Sequence, residues 1–288
     1  MRLVEDPEDL SPSTGCAFVP TMGALHEGHA ALIRHAKATG LPVVVSVFVN
    51  PTQFGANEDL DKYPRTLDAD MAIAEANGAS IVFVPSLHRV YPEGTAAATD
   101  LAARVPLPDV ATRPGLEDRC RPGHFAGVQL VVARLFDMVR PSIAVFGEKD
   151  WQQLKLVEAM VRIAHGSTPN RWPSLRIAAH PTVRERDGLA LSSRNRYMPA
   201  EWRERSLGIA RALQVAHTAQ RPSTAEEQML ATLKAHDFTV DYAVVRDAET
   251  LMPVTGLETR TRALIAARLT WPGGGVRLID NAPLAIWR

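Results

Sequence analysis

The sequence predicts an α/β protein: a Rossmann-like, doubly wound parallel sheet over residues 1–181, followed by a smaller C-terminal α+β domain with an antiparallel sheet over residues 182–288. Three observations carry this expectation. Short apolar runs alternate with longer segments of helical period through the first 180 residues, as parallel strands joined by crossover helices do. Several of those runs are unbroken and β-branched, Val43-Val-Val-Ser-Val-Phe-Val49 most clearly, which suits strands covered on both faces. After Pro181 the texture changes to helical segments followed by runs of alternating polarity.

Along the chain, strands are expected at residues 17–20, 43–49, 81–85, 143–146 and 175–179. Helical period fills the intervals at 29–38, 66–77, 127–139 and 151–163, the last with Leu154, Val157, Met160 and Val161 on one face. Residues 92–122 are Pro-rich and weakly periodic, and read as a long surface excursion of a kind that often carries function. Beyond Pro181, helices around 201–220 and 224–235 precede strands at 240–245, 263–269 and 276–279. There is no internal repeat or low-complexity linker, so the junction near Pro181 is a hinge candidate.

Composition narrows the functional classes. With 46% hydrophobic and 22% charged residues the chain can bury a full core. The 32 Lys+Arg cancel the 32 Asp+Glu, which leaves no basic field to draw in nucleic acid or an anionic membrane. Cys16 and Cys120 are the only cysteines, which fits a reducing compartment and excludes a disulfide scaffold or a four-cysteine zinc site. The first ten residues are acidic and lack an apolar segment, and the most apolar stretch, 41–49, is too short to span a bilayer. The expectation is a soluble cytoplasmic protein. Only five residues are Lys, so a Lys at a motif position is less readily filler than an Arg.

Four segments carry chemistry. The first, Val19-Pro-Thr-Met-Gly-Ala-Leu-His-Glu-Gly-His29, leaves a strand, turns on Gly23 and enters a helix. His26 and His29 are three apart and would share one side of the first helical turn. Free backbone N–H groups and the positive dipole end are expected to favour phosphate there, with imidazole N–H donors gripping phosphoryl oxygens; Gly28 permits close approach. A zinc site would need histidines at i and i+4 with a third ligand, so no protein-held metal is expected. An ordinary helix start is the plainer alternative.

The second, Phe146-Gly-Glu-Lys-Asp-Trp-Gln-Gln153, exits a strand and opens a helix at the same sheet edge. Lys149 would supply an ammonium to a phosphoryl group and Asp150 an acceptor for ribose hydroxyls; the alternative is a solvated helix start in which these charges pair. The third, Leu191-Ser-Ser-Arg-Asn195, follows Thr182-Val-Arg-Glu-Arg-Asp-Gly188. Adjacent hydroxyls with a forked guanidinium suit a triphosphate, and a hinge location would let a small domain close as a lid; a cap or turn cluster is the alternative. In the fourth, Phe48-Val-Asn-Pro-Thr-Gln-Phe54, Asn50 and Gln53 are directional hydrogen-bonders suited to a small polar acid, or else an Asn-Pro turn with an exposed Gln.

Together these segments resemble the pantothenate synthetase (pantoate–β-alanine ligase) family, of the wider His-x-Gly-His nucleotidyl-transfer superfamily. The likeness runs from about Ala17 to Asn281, with Tyr63-Pro-Arg65, Arg121-Pro-Gly-His-Phe125 and Leu278-Ile-Asp-Asn281 as further matching stretches. It implies that ATP with Mg²⁺, pantoate and β-alanine give pantothenate, AMP and pyrophosphate through a pantoyl adenylate, in a homodimeric cytoplasmic ligase with no nucleic-acid or membrane partner. It implies catalytic roles for His26, His29, Lys149, Ser192, Ser193 and Arg194, with Mg²⁺ held by the ATP phosphates. Gln53 and Gln153 would hold pantoate, Gly147 and Asp150 the ribose, Val183 the adenine, and Met22 the nucleotide through its backbone. Asn50, Tyr63, Glu117, Arg121 and His124 match positions around the site as secondary contacts. Either His29 or a phosphate oxygen would take the proton from β-alanine.

Three departures stand out. The lead before the first motif is short, which implies a stunted first helix; residues 165–175 are expected to form a bulging loop; and Thr52 stands where the family often has Met. A nucleotidylyltransferase of the same superfamily and a non-catalytic ATP-binding module are the rival readings. A tRNA synthetase is disfavoured by neutral charge and the absence of an anticodon-sized domain.

Overall fold

The computed structural model describes residues 1–10, 15–55, 60, 63–257 and 260–284. They fold as two compact units. The first comprises Met1–Thr112, Glu117–Glu148 and Gln152–Pro181; the second takes in Arg113–Leu116, Lys149–Trp151 and the chain from Thr182 onward.

In the first unit the elements run β1 (Arg2–Val4), β2 (Ala17–Thr21), α1 (Glu27–Ala38), β3 (Val43–Val47), α2 (Leu67–Ala76), β4 (Ile81–Phe83), α3 (Leu87–Val90), α4 (Thr95–Arg104), α5 (Glu117–Cys120), α6 (His124–Val139), β5 (Ile143–Gly147), α7 (Trp151–His165) and β6 (Arg176–His180). The six strands form one parallel sheet in the order β1-β4-β3-β2-β5-β6. Both faces are covered, as its β-branched runs require. Val19, Val45, Val82 and Val145 pack with Ile33 and Ala36 of α1 and Ala74 of α2. Phe18 meets Phe136 of α6 edge-on at 6.3 Å, and Phe136 in turn meets Phe146 and Trp172. The strand order reverses between β2 and β5, and in open parallel sheets ligands gather outside the carboxyl ends at such a reversal.

One of the expectations for this unit changes, and two others gain detail. Residues 92–122 are not a bare surface excursion. They contain α4, a 3-10 turn at Asp109–Ala111 and α5, with Ala98 and Ala102 buried. Gln152 ties the segment down, accepting from the Glu117 N–H at 2.9 Å and donating to the Val110 carbonyl at 2.8 Å. Alanine is a strong helix former but a faint apolar signal, so prolines dominated the pattern. The 165–175 connection is irregular yet anchored, because Trp172 is buried against Phe136 and its indole N–H reaches Asp137 at 3.0 Å. Among residues 1–10 the lead holds β1 and a single 3-10 turn at Pro7–Asp9.

The second unit contains α8 (Ala200–Arg205), α9 (Gly208–Ala216), α10 (Pro222–Ala235) and an antiparallel sheet of β7 (Thr239–Asp247), β8 (Thr261–Trp271) and β9 (Gly274–Pro283). Its core joins Ile209, Leu213, Met229 and Leu233 of the helices to Val245, Ile265 and Leu278 of the sheet. The expected helix over 201–220 is two helices. Gly208 begins the second, where a Cβ would lie 2.6 Å from the Cβ of His236. Among the described residues, no helix is long and apolar enough to cross a membrane.

Candidate active site

Each unit carries part of the expected residue set, and in the first unit that set lies at the carboxyl ends of β2, β3 and β5. At the end of β2 the chain turns through Gly23 (φ 84°) and Ala24 (φ 51°) before α1. The turn is held from within. Thr21 Oγ1 donates to the Ser46 carbonyl at 2.6 Å and accepts from the Gly23 N–H at 3.2 Å. The buried Asp70 carboxylate accepts from Ala24 N–H at 3.1 Å and Leu25 N–H at 2.7 Å. The amides of Gly23, Ala24 and Leu25, in the turn before the helix, are therefore spent on the fold, since a buried donor left unmet would be costly.

What the helix start presents is the imidazole pair. His26 is the N-cap of α1, its Nδ1 accepting from Gly28 N–H at 3.1 Å, while His29 Nδ1 accepts from His26 N–H at 3.3 Å. This reciprocal cap is built from two histidines where Ser and Glu usually serve. The rings lie 4.2 Å apart, centroid to centroid, and both residues are half-buried. A neutral imidazole whose Nδ1 accepts carries its proton on Nε2. The cap thus leaves both rings with a proton on Nε2 while also starting the helix, so the plain structural reading holds and an Nε2–H donor is left on each ring.

At the end of β3, Asn50 caps a 3-10 turn over Pro51–Gln53. Asn50 is buried and Gln53 half-buried. Asn50 Nδ2 donates to Gln53 Oε1 at 3.0 Å, and Gln53 Nε2 reaches Met22 Sδ at 3.2 Å. His124 Nδ1 lies 3.0 Å from the Gln53 carbonyl and its Nε2 3.0 Å from Arg121 Nη1. Arg has only donors, so it fixes the Nδ1–H tautomer of His124, which then donates to Gln53. Among the secondary residues, Asn50, Arg121 and His124 accordingly hold Gln53. Tyr63 stacks edge-on with Phe54 at 6.0 Å, and buried Glu117 opens α5. Gly147 ends β5, where an added Cβ would meet Leu32 of α1 at 3.9 Å, and Gln153 is half-buried on α7 beside the buried, structural Gln152.

The second unit carries Lys149, Asp150, Val183, Ser192, Ser193 and Arg194. Lys149 Nζ is 3.9 Å from Asp150 Oδ2, a loose pair. The turn itself is firmly held: Asn281 Nδ2 donates to the Lys149 carbonyl at 2.9 Å, Trp151 Nε1 to the Ala248 carbonyl at 2.9 Å, and the Arg262 guanidinium lies over the Trp151 ring. Val183 accepts from Leu191 N–H at 3.0 Å, and Arg184 between them forks onto the buried Asp280 carboxylate at 2.6 and 2.9 Å. Burial pushes the Asp280 carboxyl up, against the pull of Arg184. Ser192 Oγ accepts from Arg194 N–H at 3.3 Å, capping the following 3-10 turn, and its hydroxyl proton is still a donor.

The sequence reading missed Asp70, Tyr91, Arg184 and Asp280 as individual supports. Among the described residues, no group of three or more His, Cys, Asp or Glu side chains is placed to hold a metal ion.

A parallel sheet with a capped His-x-Gly-His helix at its strand-order reversal defines a nucleotide-binding α/β enzyme. The family model for pantoate–β-alanine ligase matches residues 4–283, and the chain belongs to that family. It is 48% identical over 286 residues to a pantothenate synthetase of Nocardioides sp., covering 93% of this chain and 78% of that protein. It is 45% identical over 271 residues to one of Novosphingobium aromaticivorans, covering 92% and 90%. The crystal structure of a pantothenate synthetase from Thermus thermophilus superposes with a TM-score of 0.88 at 39% identity, covering 99% of this chain and all of that one. A pantoate–β-alanine ligase from Francisella tularensis, complexed with βγ-ATP and β-alanine, gives 0.76 at 30% identity, covering 98% and 97%.

Proposed function

We propose that this chain condenses pantoate with β-alanine to give pantothenate, consuming ATP and releasing AMP and pyrophosphate through a pantoyl adenylate. The observation that carries the proposal is the reciprocal His26/His29 cap, which stands at the end of the sheet where a nucleotide is expected and keeps the proton of both rings on Nε2. The pantoate carboxylate, with an ordinary pKa near 4, is ionised at neutral pH and needs no general base to attack the α-phosphorus of ATP. The new P–O bond forms as the bond to pyrophosphate breaks. The obstacle is charge, an anion approaching a polyanion, and donors that strengthen as phosphoryl charge shifts lower that barrier. His26, His29, Lys149, Ser192, Ser193 and Arg194 are assigned to the phosphates; Gly147 and Asp150 to the ribose; Val183 and the Met22 backbone to the nucleotide; Gln53 and Gln153 to pantoate.

In the second half-reaction the β-alanine amine attacks the acyl carbon and AMP departs. The ammonium, with an ordinary pKa near 10, must first lose a proton. His29 already carries a proton on Nε2, and its Nδ1 is occupied by His26 N–H, so the cap supports a donor role for this ring, and the ammonium proton is assigned to a phosphate oxygen of the adenylate, leaving with AMP. Mg²⁺ would neutralise phosphate charge and is assigned to ATP; it fits a set whose groups toward phosphate are imidazole, ammonium, hydroxyl and guanidinium donors. A homodimeric state and a cytoplasmic location are assigned from family likeness, with the free thiols Cys16 and Cys120 in keeping.

The test is exchange of labelled pyrophosphate into ATP, with and without pantoate. Exchange that requires pantoate, followed by AMP release that requires β-alanine, is the expected result. Exchange that ignores pantoate would point to a nucleotidylyltransferase, and nucleotide binding with neither reaction to a non-catalytic module.

A further inference from the structure

The Gln53 amide can present either its oxygen or its nitrogen to a ligand, and a buried hydrogen-bond network behind it decides which. Asn50, only 1% exposed, is the centre of that network. Its Oδ1 accepts from Tyr91 Oη at 2.7 Å, Thr52 Oγ1 at 3.0 Å and the Thr52 backbone N–H at 3.2 Å. Three donors converging on one atom fix it as the carbonyl oxygen, which commits Nδ2 to Gln53 Oε1 at 3.0 Å and the Gly127 carbonyl at 3.3 Å. With its oxygen claimed, Gln53 turns Nε2 outward, where the weak thioether acceptor of Met22, 3.2 Å away, leaves N–H capacity for a stronger one. Met22 is assigned to the nucleotide through its backbone and meets this network only through its thioether, while the other members, Asn50, Thr52, Tyr91 and the Gly127 carbonyl, carry no nucleotide assignment, so the effect should fall on the acid.

We propose that Tyr91 and Thr52 are positioning residues that set specificity for the acid substrate, acting through Asn50 to keep the N–H end of Gln53 toward the oxygens of a hydroxylated carboxylate. The inference rests on the reading that Gln53 binds pantoate. If Asn50 were free to flip, its own oxygen would oppose Gln53 Oε1. Gln53 could then answer by turning its carbonyl outward, setting oxygen against oxygen at the acid. A site built to donate discriminates strongly against an analogue lacking the matching acceptor; a site of mixed orientation does not. Tyr91 is fully buried, and burial pushes its phenol up to about 12, so it remains a donor across the working range.

The experiment uses the full-length enzyme and compares Tyr91→Phe, Thr52→Val, Thr52→Ser and the Tyr91→Phe/Thr52→Val pair, with folding checked by thermal melting. KM and kcat are measured for pantoate, for a pantoate analogue lacking one hydroxyl, and for ATP. The pair is expected to raise the pantoate KM about tenfold, the scale of misorienting one substrate hydrogen bond, to narrow discrimination against the deoxy analogue, and to leave the ATP KM within about twofold. Thr52→Ser, which keeps the hydroxyl, should restore discrimination where Thr52→Val loses it. Gln53→Ala runs alongside. If it leaves the pantoate KM unmoved, the assignment of Gln53 to pantoate falls. If it raises that KM while the Tyr91 and Thr52 variants keep wild-type discrimination, the positioning role alone is overturned. Equal losses toward pantoate and ATP overturn it too, as would failure of Thr52→Ser to differ from Thr52→Val; should the pair not fold, the two Thr52 variants decide.

Discussion

Asp70 accepts the Leu25 backbone N–H at 2.7 Å across 45 residues of sequence, and its second oxygen takes the N–H of Ala24. A single carboxylate on α2 therefore shapes the turn that delivers His26 and His29. An amide at this position keeps one acceptor and sets an NH₂ against the other N–H. Asp70→Asn should cost about 1–3 kcal/mol of stability, the usual penalty for a buried unpaired donor. It should also slow pyrophosphate exchange, because a displaced turn moves both rings. Urea unfolding together with the exchange rate checks both; unchanged exchange in a destabilised protein would separate Asp70 from the site.

The capping role of His26 and its proposed role as a donor to phosphate can be split. Asparagine is a good N-cap, so His26→Asn should keep helix α1 and the melting temperature near wild type while removing the Nε2–H donor. Adenylate formation should fall roughly 10²- to 10³-fold, the scale of losing a preorganised donor. His29→Ala should slow the same step, and added zinc should restore neither. Rapid-quench measurement of adenylate formation, with circular dichroism for the fold, distinguishes this from simple unfolding.

Lys149 sits in a turn whose carbonyl is held by Asn281 and whose neighbour Trp151 is held by Ala248 and Arg262. None of those contacts uses the ammonium. Lys149→Ala should therefore melt like wild type yet slow adenylate formation by roughly 10²- to 10³-fold. Near-normal turnover would remove Lys149 from the mechanism.

Cys16 is buried, and burial pushes its thiol up to about 11 from 9.0. At pH 8 only about a thousandth of it is thiolate, so it should resist iodoacetamide in the native enzyme and react after denaturation. The linkage has a definite sign. The folded state favours the neutral thiol, so this contribution to stability is complete below pH 9 and lost as pH rises through 11. Mass spectrometry of labelled peptides reads the first effect, and unfolding at pH 8 and 11 compared with Cys16→Ala reads the second.

Much of the architecture was legible because parallel strands buried on both faces leave unbroken runs such as Val43–Val47, and because crossover helices such as Glu27–Ala38 begin at recognisable turns. Strand Arg2–Val4 is three residues long and has no period to detect; Thr95–Arg104 is alanine-rich and hid among prolines. Of the site, His26, His29 and Lys149 could be singled out because each lies just after a strand. In the sequence Asp70 is simply one of two acids in the first turn of a helix, and Tyr91 an aromatic with no motif around it. Their roles lie in contacts with Leu25 and Asn50, 45 and 41 residues away, and no local pattern encodes a partner at that distance.

Gly127 is the clearest case of a backbone requirement, beside the Pro51–Gln53 turn. It lies inside α6, where glycine costs about 1 kcal/mol of helix propensity, and something must offset that. A Cβ there would fall 2.2 Å from the Thr52 carbonyl oxygen and 2.7 Å from Gln53 N, both backbone atoms that cannot step aside like a flexible side chain. The Gly127 carbonyl also receives Asn50 Nδ2. Gly127→Ala should thus destabilise the protein by about 1–3 kcal/mol, as overpacking does, despite the better helix former. Because the strain falls on the turn that carries Gln53, the pantoate KM should rise several-fold while the ATP KM holds. A melting curve at or above that of wild type would mean that α6 and the Pro51–Gln53 turn are not packed as closely as this geometry requires.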